Sequence, residues 1–376
     1  MESFFNLEYV RVVDVDASPT SKKLQVIWNP PYKDPVNRYN GRRSALEETI
    51  RLIMFLVFKG VRTICFAKSR RACEILFKET QHSLEQIAPD YVERIHSYRG
   101  GYSAEDRRYI EGQLFRGELL CIIATNALEL GIDIGSLDCV IHFGFPESIA
   151  SFRQQSGRAG RRGRDSLSIL VTDGDNMLDQ YYFKNPDELF NKDLESIVLD
   201  LDNETILEGH LQCAASELRL SPQRDFKYFG EEELIEDLCE KQLLKDSKNG
   251  VFFSHPRFKG NPAGAIKIRS IDEDMFQVID ISTNSEIEKV EISRVPFTLY
   301  DGAIFIHQGN TFLIFDVNAE RKYAKGKPTT VNYLTAPSDI KEPIPIDSLE
   351  LLHLGKGASC SVVSFGRVRG KLLYDL

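Results

Sequence analysis

Between residues 62 and 171, five short runs rich in apolar and β-branched residues (62–67, 94–98, 119–124, 139–143 and 166–171) alternate with stretches of helical spacing. Of these, 119–124, 139–143 and 166–171 read as strands of the buried type. The intervening segments repeat apolar residues at three and four. Leu46, Ile50, Ile53, Met54, Leu56 and Val57 do so over 43–59, where Gly60 is placed to stop the helix. A second helix is expected over 70–79. A third is capped by Ser103, carries Glu105 and Asp106 in its first turn and ends near Phe115. Strands that alternate with helices imply an α/β lobe, a parallel sheet with helices on both faces. Two further apolar runs, 11–14 and 24–28, precede the turn Asn29-Pro30-Pro31.

After Thr172 the pattern changes. Residues 176–245 read as mostly helical, with stretches over 204–218 and 231–242, followed by two short strands around Lys248-Asn249-Gly250. Helices followed by a small hairpin suggest a winged helix. Residues 260–264 form a linker candidate, and strands dominate beyond it: 266–271, 276–281, 287–293, 303–307 and 312–317, with Gln308-Gly309-Asn310-Thr311 as a tight turn. A small β-barrel is the natural closure for so many short strands. The expected division is a parallel-sheet lobe over 1–175, a winged-helix-like region over 176–260 and a β-barrel-like domain, truncated, over 261–376.

A length of 376 residues favours two or three domains, and 42% hydrophobic residues suffice for cores. No apolar run is long enough to span a membrane, and residues 1–6 carry no secretory signal. The seven cysteines are scattered, odd in number and without a C-x-x-C pair, which favours a reducing compartment, buried thiols and no structural zinc. The net charge of −9 divides into about +3 over residues 1–170 and about −12 beyond, so the acidity does not preclude a local basic groove in the first half.

The most specific motif is Gln154-Gln155-Ser156-Gly157-Arg158-Ala159-Gly160-Arg161-Arg162-Gly163-Arg164. Phosphoryl transfer needs positive charge held against the γ-phosphate, and the planar guanidinium fork grips phosphate oxygens without losing its proton. Arg158 and Arg161, three apart, point the same way on a helix or tight turn, and Gly157 and Gly160 permit close approach. The bland alternative is a basic loop. A second motif, Ala124-Thr125-Asn126-Ala127-Leu128-Glu129-Leu130-Gly131-Ile132-Asp133, follows a buried strand, where parallel sheets bind ligands. There Thr125 can donate to a backbone phosphate and Asp133 can accept from a ribose hydroxyl. Ser69 and Arg70, and Gly101 and Ser103 after Arg99, open helices whose N-termini suit backbone phosphates, with ordinary capping as the alternative. The histidines show no metal-ligand spacing, and no metal site is expected. Tyr181, Tyr182 and Phe183 either stack on bases or pack against the lobe.

The order of these segments resembles the second RecA-like lobe of superfamily 2 helicases: Ser69-Arg70, Arg99-Gly100-Gly101, the A-T-N-x-L-E-x-G-I-D run and Q-x-S-G-R-A-G-R. The resemblance implies that Arg161 is the arginine finger and Arg158 its γ-phosphate companion. It further implies that Gln154 faces the catalytic water or phosphate, that Asp133 with Gly131 meets the ribose, and that Thr125 tracks the strand. Tyr181-Tyr182-Phe183 with Pro186-Asp187-Glu188-Leu189-Phe190, the run from His210 to Glu217 and the run from Asp301 to Gly309 resemble fungal RecQ-like repair helicases and bacterial mitomycin-repair helicases. That resemblance implies an ATP- and Mg²⁺-dependent 3′-to-5′ DNA helicase, nuclear, acting in DNA repair on single-stranded or forked DNA. The expected layout is two RecA-like lobes, a winged helix, a β-barrel and a four-cysteine zinc module.

The sequence departs from that layout. It contains no G-x-x-x-x-G-K-[ST], no strand followed by D-E-x-[HD] and no terminal cysteine quartet. The chain is therefore expected to be a fragment whose missing N-terminal lobe holds most of the ATP and Mg²⁺. Two rival readings are a catalytically inactive nucleic-acid-binding or protein-docking fragment and an RNA-directed motor.

Overall fold

The computed structural model describes Arg11, Val13, Val15 and residues 21–130, 137–161, 163–198, 203–221, 224–225, 232–246, 251–258, 261–264, 266, 275–354 and 361–375, with residues from 338 onward described by backbone alone. Two compact units divide it: Ala17–Glu195 with Asp274–Leu376, and Met1–Asp16 with Ser196–Glu273.

The first unit is built on six strands, β1 (Lys23–Trp28), β2 (Thr63–Ala67), β3 (Ile95–Tyr98), β4 (Cys121–Ala124), β5 (Cys139–Phe143) and β6 (Ser166–Val171). They form one sheet in the order β1-β6-β5-β2-β4-β3, and every pairing is parallel. Alternation along each strand feeds two cores. In β2, Cys65 and Ala67 join a cluster with Ile53, Val57, Leu76 and Leu84. Ile64 and Phe66 point the other way, onto Tyr102, Ile110, Leu114 and Leu128. Burial on both faces is why these strands are continuously apolar. Cys65, Cys73, Cys121 and Cys139 are buried in the first of those clusters.

Helix α1 (Ala45–Phe58) is capped by Ser44, α2 (Arg70–Ile87) by Ser69 and α3 (Ala104–Arg116) by Ser103, each hydroxyl accepting a backbone N–H of the first turn. Helix α4 (Ile149–Ser156) follows β5. Helices α5 (Met177–Lys184) and α6 (Pro186–Phe190) return to the lobe, where Tyr182 packs on Phe145, and Leu189 and Phe190 close on Phe152. Tyr181 and Phe183 stay partly exposed.

The same unit carries a curled half-barrel of five strands: β9 (Met275–Asp280), β10 (Ser285–Glu291), β11 (Ile304–His307), β12 (Asn310–Asn318) and β13 (Tyr323–Pro328). Their order is β10-β9-β13-β12-β11, with only β13 and β9 parallel. Phe276, Val278, Val290, Leu299 and Ile314 fill its core. Gln308 and Gly309 have φ of 48° and 78° and join β11 to β12 through the His307–Asn310 pair, a two-residue hairpin turn where a turn is expected. A long antiparallel hairpin, β14 (Ser338–Leu354) with β15 (Ser361–Asp375), follows. The expected strand at 266–271 lies almost wholly outside the described residues.

In the second unit, helices α7 (Glu204–Glu217) and α8 (Glu232–Glu240) and the hairpin of β7 (Leu244–Asp246) and β8 (Phe252–Ser254) enclose Leu211, Ala215, Ile235, Leu238 and Leu244. The turn Lys248-Asn249-Gly250 lies outside the described residues. No helix among the described residues is long and apolar enough to cross a membrane.

Candidate functional site

Parallel register decides where the motif residues gather. Phe66 and Tyr98 both pair with Ala124, and Ala67 with Phe143, so β2, β3, β4 and β5 end at one level. The segments after them, Lys68–Arg70, Arg99–Ser103, Thr125–Asn126 and Gly144–Ser148, therefore emerge along one carboxyl edge. A polar cleft there is lined by Lys68, Asn126, Gly144, Glu147, Ser148, Ser151 and Gln155. Lys68 reaches across Gly144 to the buried Asp179 (3.3 Å), whose carboxylate also accepts the backbone N–H groups of Phe145 (3.0 Å) and Asp173 (2.9 Å). Asp179 thus ties α5 to the edge.

Ser69 and Ser103 are exposed, and both hydroxyls are engaged as helix caps; Ser103 also donates to Asp106 Oδ2 at 2.7 Å. Thr125 is buried, its N–H donates to the Tyr98 carbonyl (3.2 Å), and its hydroxyl does not cap the turn Asn126–Leu128. Arg70 and Gly101 lie against the half-barrel. Arg70 donates both terminal nitrogens to Glu291, at 3.1 and 2.8 Å, and a methyl group on Gly101 would meet Glu288 Oε1.

The arginine motif lies elsewhere. Helix α4 starts beyond the carboxyl end of β5 and runs back along it. Its eight residues cover about 12 Å. Ala159 then bridges in parallel to Leu137, and the Gly160 N–H donates to the Leu137 carbonyl (3.1 Å), just before β5 begins. The helix stops at Ser156, so Arg158 and Arg161 do not share a helical face. Arg158 is buried and its Nε donates to the Glu129 carbonyl at 2.8 Å, while Arg161 is half-buried and Gln154 exposed. Gly160, at φ 82°, presses on Ser166, where a side chain would collide. Asp133, Gly131 and Arg162 lie outside the described residues.

Beneath the motif is a polar network that the sequence reading missed. His142 bonds Gln155 Oε1 (3.0 Å) and Ser156 Oγ (3.1 Å), and Gln155 donates to Glu129 Oε2 (3.0 Å). Burial lowers the His142 pKa to about 4, against a hydrogen bond donated to Gln155 Oε1 that raises it, so the ring is neutral. Gln155, the neighbour of the expected Gln154, is the buried glutamine that anchors α4. Burial also raises the Cys65, Cys73, Cys121 and Cys139 thiols, which makes them poor nucleophiles.

Residues 44–163 match the family described as helicase conserved C-terminal domain, and residues 199–271 match the winged helix domain of ATP-dependent helicase HRQ1. The chain is 41% identical over 380 residues to ATP-dependent helicase HRQ1 of Saccharomyces cerevisiae, covering 99% of this chain and 34% of that protein. It is 35% identical over 330 residues to the ATP-dependent helicase YprA of Bacillus subtilis, covering 87% of this chain and 43% of YprA. The structure of the helicase MrfA bound to DNA and AMPPNP aligns with a TM-score of 0.75 at 31% identity, over 94% of this chain and 47% of MrfA. Fold and motifs together define the class, the superfamily 2 helicases. Within that class the chain is related to the HRQ1- and YprA-type helicases, and it spans about a third of the length of HRQ1 (34%).

Proposed function

We propose that this chain is the second motor lobe, with its accessory domains, of an ATP-driven DNA helicase that moves 3′ to 5′ and serves DNA repair in the nucleus. The observation that carries this reading is the path of one segment. Thr125 stands on the carboxyl edge, and four residues later the Glu129 carbonyl is held by Arg158. A single short segment thus joins the carboxyl edge to the arginine motif, which supports a connection of the kind a translocating motor requires.

ATP with Mg²⁺ supplies the phosphoryl group when bound, held mainly by a first lobe whose G-x-x-x-x-G-K-[ST] cradle this sequence lacks. The donor set here suits phosphate oxygens: guanidinium groups on a backbone that Gly160 brings close to the sheet. Arg161 is assigned as the finger, Arg158 as its companion, which also stiffens the Glu129 turn, and Gln154 as the group facing the catalytic water. Asp133 and Gly131 are assigned to the ribose. Ser69, Arg70, Gly101, Ser103 and Thr125 are assigned to the backbone of single-stranded or forked DNA, with Lys68 and Asn126 added by the cleft they line. The similarity to MrfA, whose structure is bound to DNA and AMPPNP, supports a DNA partner and a nucleotide in this reading. The domain division that best suits the compact units and the winged-helix match is a lobe over 17–195, a winged helix over 196–273 and a half-barrel from 274.

The test is equilibrium binding of a labelled single-stranded oligonucleotide by this chain across salt concentration. Affinity is expected to fall steeply with salt. Thr125→Val and Lys68→Ala weaken binding, whereas Arg161→Ala leaves it unchanged. Absence of binding at low salt overturns the strand assignment.

A further inference from the structure

The half-barrel meets the lobe through charged side chains of unequal exposure. In the interior, Arg99, 2% exposed, donates Nη1 and Nη2 to the two carboxylate oxygens of Glu288 at 2.7 and 2.8 Å, and Nε to Glu74 Oε1 at 2.7 Å. Tyr102 donates to the same Glu74 oxygen (2.6 Å), and His307 Nδ1 lies 3.1 Å from Glu288. Burial alone would raise the Glu288 carboxyl; hydrogen bonds from His307 and Arg99, with their charges, hold it at about 2. A buried, fully paired cluster of this kind exchanges partners less readily than an exposed pair, because water and solute anions do not reach its charge-assisted hydrogen bonds.

Nearer the surface, Arg70, the first residue of α2, grips Glu291 through both terminal nitrogens. Their side chains are 24% and 29% exposed. Glu291 is shared with Arg294 at 3.6 Å. Arg70 also lies 3.7 Å from Glu288 Oε1; the part-exposed side of the pair is open to a competing anion, and a phosphate offers the guanidinium fork the same two oxygens as a carboxylate. Ser69, Arg71 and the helix N-terminus surround Arg70, beside the edge that carries Lys68.

We propose that, of the charged contacts between the half-barrel and the lobe, the one at Arg99 is permanent and the one at Arg70 exchangeable, and that a nucleic-acid backbone phosphate displaces Glu291 from Arg70. Strand binding then opens the Arg70 contact alone, while Arg99, the Lys78–Thr311 bond (2.8 Å) and the Gly309–Glu74 bond (3.2 Å) keep the half-barrel on the lobe. The inference rests on the strand assignment made above.

The experiment measures single-stranded oligonucleotide affinity for the wild-type chain, Glu291→Gln, Arg70→Ala and the double variant. Removing the competing carboxylate is expected to tighten binding about two- to five-fold, the range set by a partly exposed ion pair. Arg70→Ala weakens binding and flattens the salt slope by about one. In the double variant the gain from Glu291→Gln vanishes, because it acts through Arg70. Unchanged or weaker binding by Glu291→Gln overturns the proposal, as does a gain that survives in the double variant, which would trace to the general charge around Arg294. If Arg70→Ala binds like the wild type, the proposal falls while the edge assignment stands on Lys68 and Thr125. A wild-type chain that binds no oligonucleotide removes the strand assignment itself, and the proposal with it.

Discussion

His142 sits under the helix that delivers the arginine motif, and its charge state is coupled to folding. The folded chain keeps the ring neutral with a pKa near 4, against an ordinary 6.5. An unfolded chain therefore binds this proton first as pH falls. The stability contributed by the neutral ring is full above pH 6.5 and is lost as pH drops towards 4. The upper bound is about 3 kcal/mol. Denaturant midpoints of the wild type and His142→Gln across this range should differ in slope by one proton; equal slopes would remove His142 as the titrating group. At this scale the sequence was legible where spacing is local. The arginines three apart, with Gly157 before them and Gly160 between them, announce a tight turn. Arg99, Glu288 and His307 were not legible as a cluster, because Arg99 is 189 residues from Glu288 and 208 from His307, and Glu288 lies in no motif. That Gln155 turns inward beside Gln154 is visible only from the helix phase, fixed by Phe152 in the core.

Elements whose burial is uniform were the easiest to read. The strands β2, β4 and β5 are buried on both faces and so are continuously apolar, which no helix of similar length at the surface would be. Strand β13, Tyr323-Ala324-Lys325-Gly326-Lys327-Pro328, was not read, because it has almost no apolar alternation; its pairing with β9 and β12 makes it a strand. The arginine segment was read as a helix or tight turn, and the bridge from Ala159 to Leu137 selects the turn. The β11–β12 turn supplies a test at this scale. Gly309 has φ 78°, and a methyl group there would lie 3.2 Å from Phe77 Cε1 and 2.9 Å from Gln81 Oε1 on α2. Gly302, at φ 81°, has open space around it. Gly302→Ala is expected to cost only the left-handed backbone term, about 1–2 kcal/mol. Gly309→Ala should cost clearly more by chemical denaturation and should loosen the half-barrel against α2, read as faster amide exchange in both. Equal costs would mean that the turn does not bear on the helix.

For the whole molecule, the question is what a chain spanning about a third of HRQ1 can do alone. Its sequence lacks the phosphate cradle, so the isolated chain is expected to hydrolyse ATP no faster than background, and turnover near one per second or above would contradict this. The stronger test supplies the first lobe, in the same polypeptide or in trans, and measures steady-state ATPase at saturating DNA. Arg161→Ala should abolish turnover by about 10³-fold or more while ATP and DNA binding persist. The reason is differential stabilisation: a half-buried guanidinium that meets the γ-phosphate only when the lobes close acts mainly on the transition state. Arg161→Lys should recover little, since an ammonium lacks the planar fork. Arg158→Ala should differ from both. Its side chain holds the Glu129 carbonyl, so its loss should also relax the turn that begins at Thr125 and weaken coupling between DNA and ATP. Arg164, exposed beyond the motif, serves as the control, and Arg164→Ala should keep near-normal turnover. If Arg164→Ala loses turnover while Arg161→Ala keeps it, the finger is displaced by one turn of the segment, and Arg158 becomes a purely structural tie between the arginine segment and the Glu129 turn.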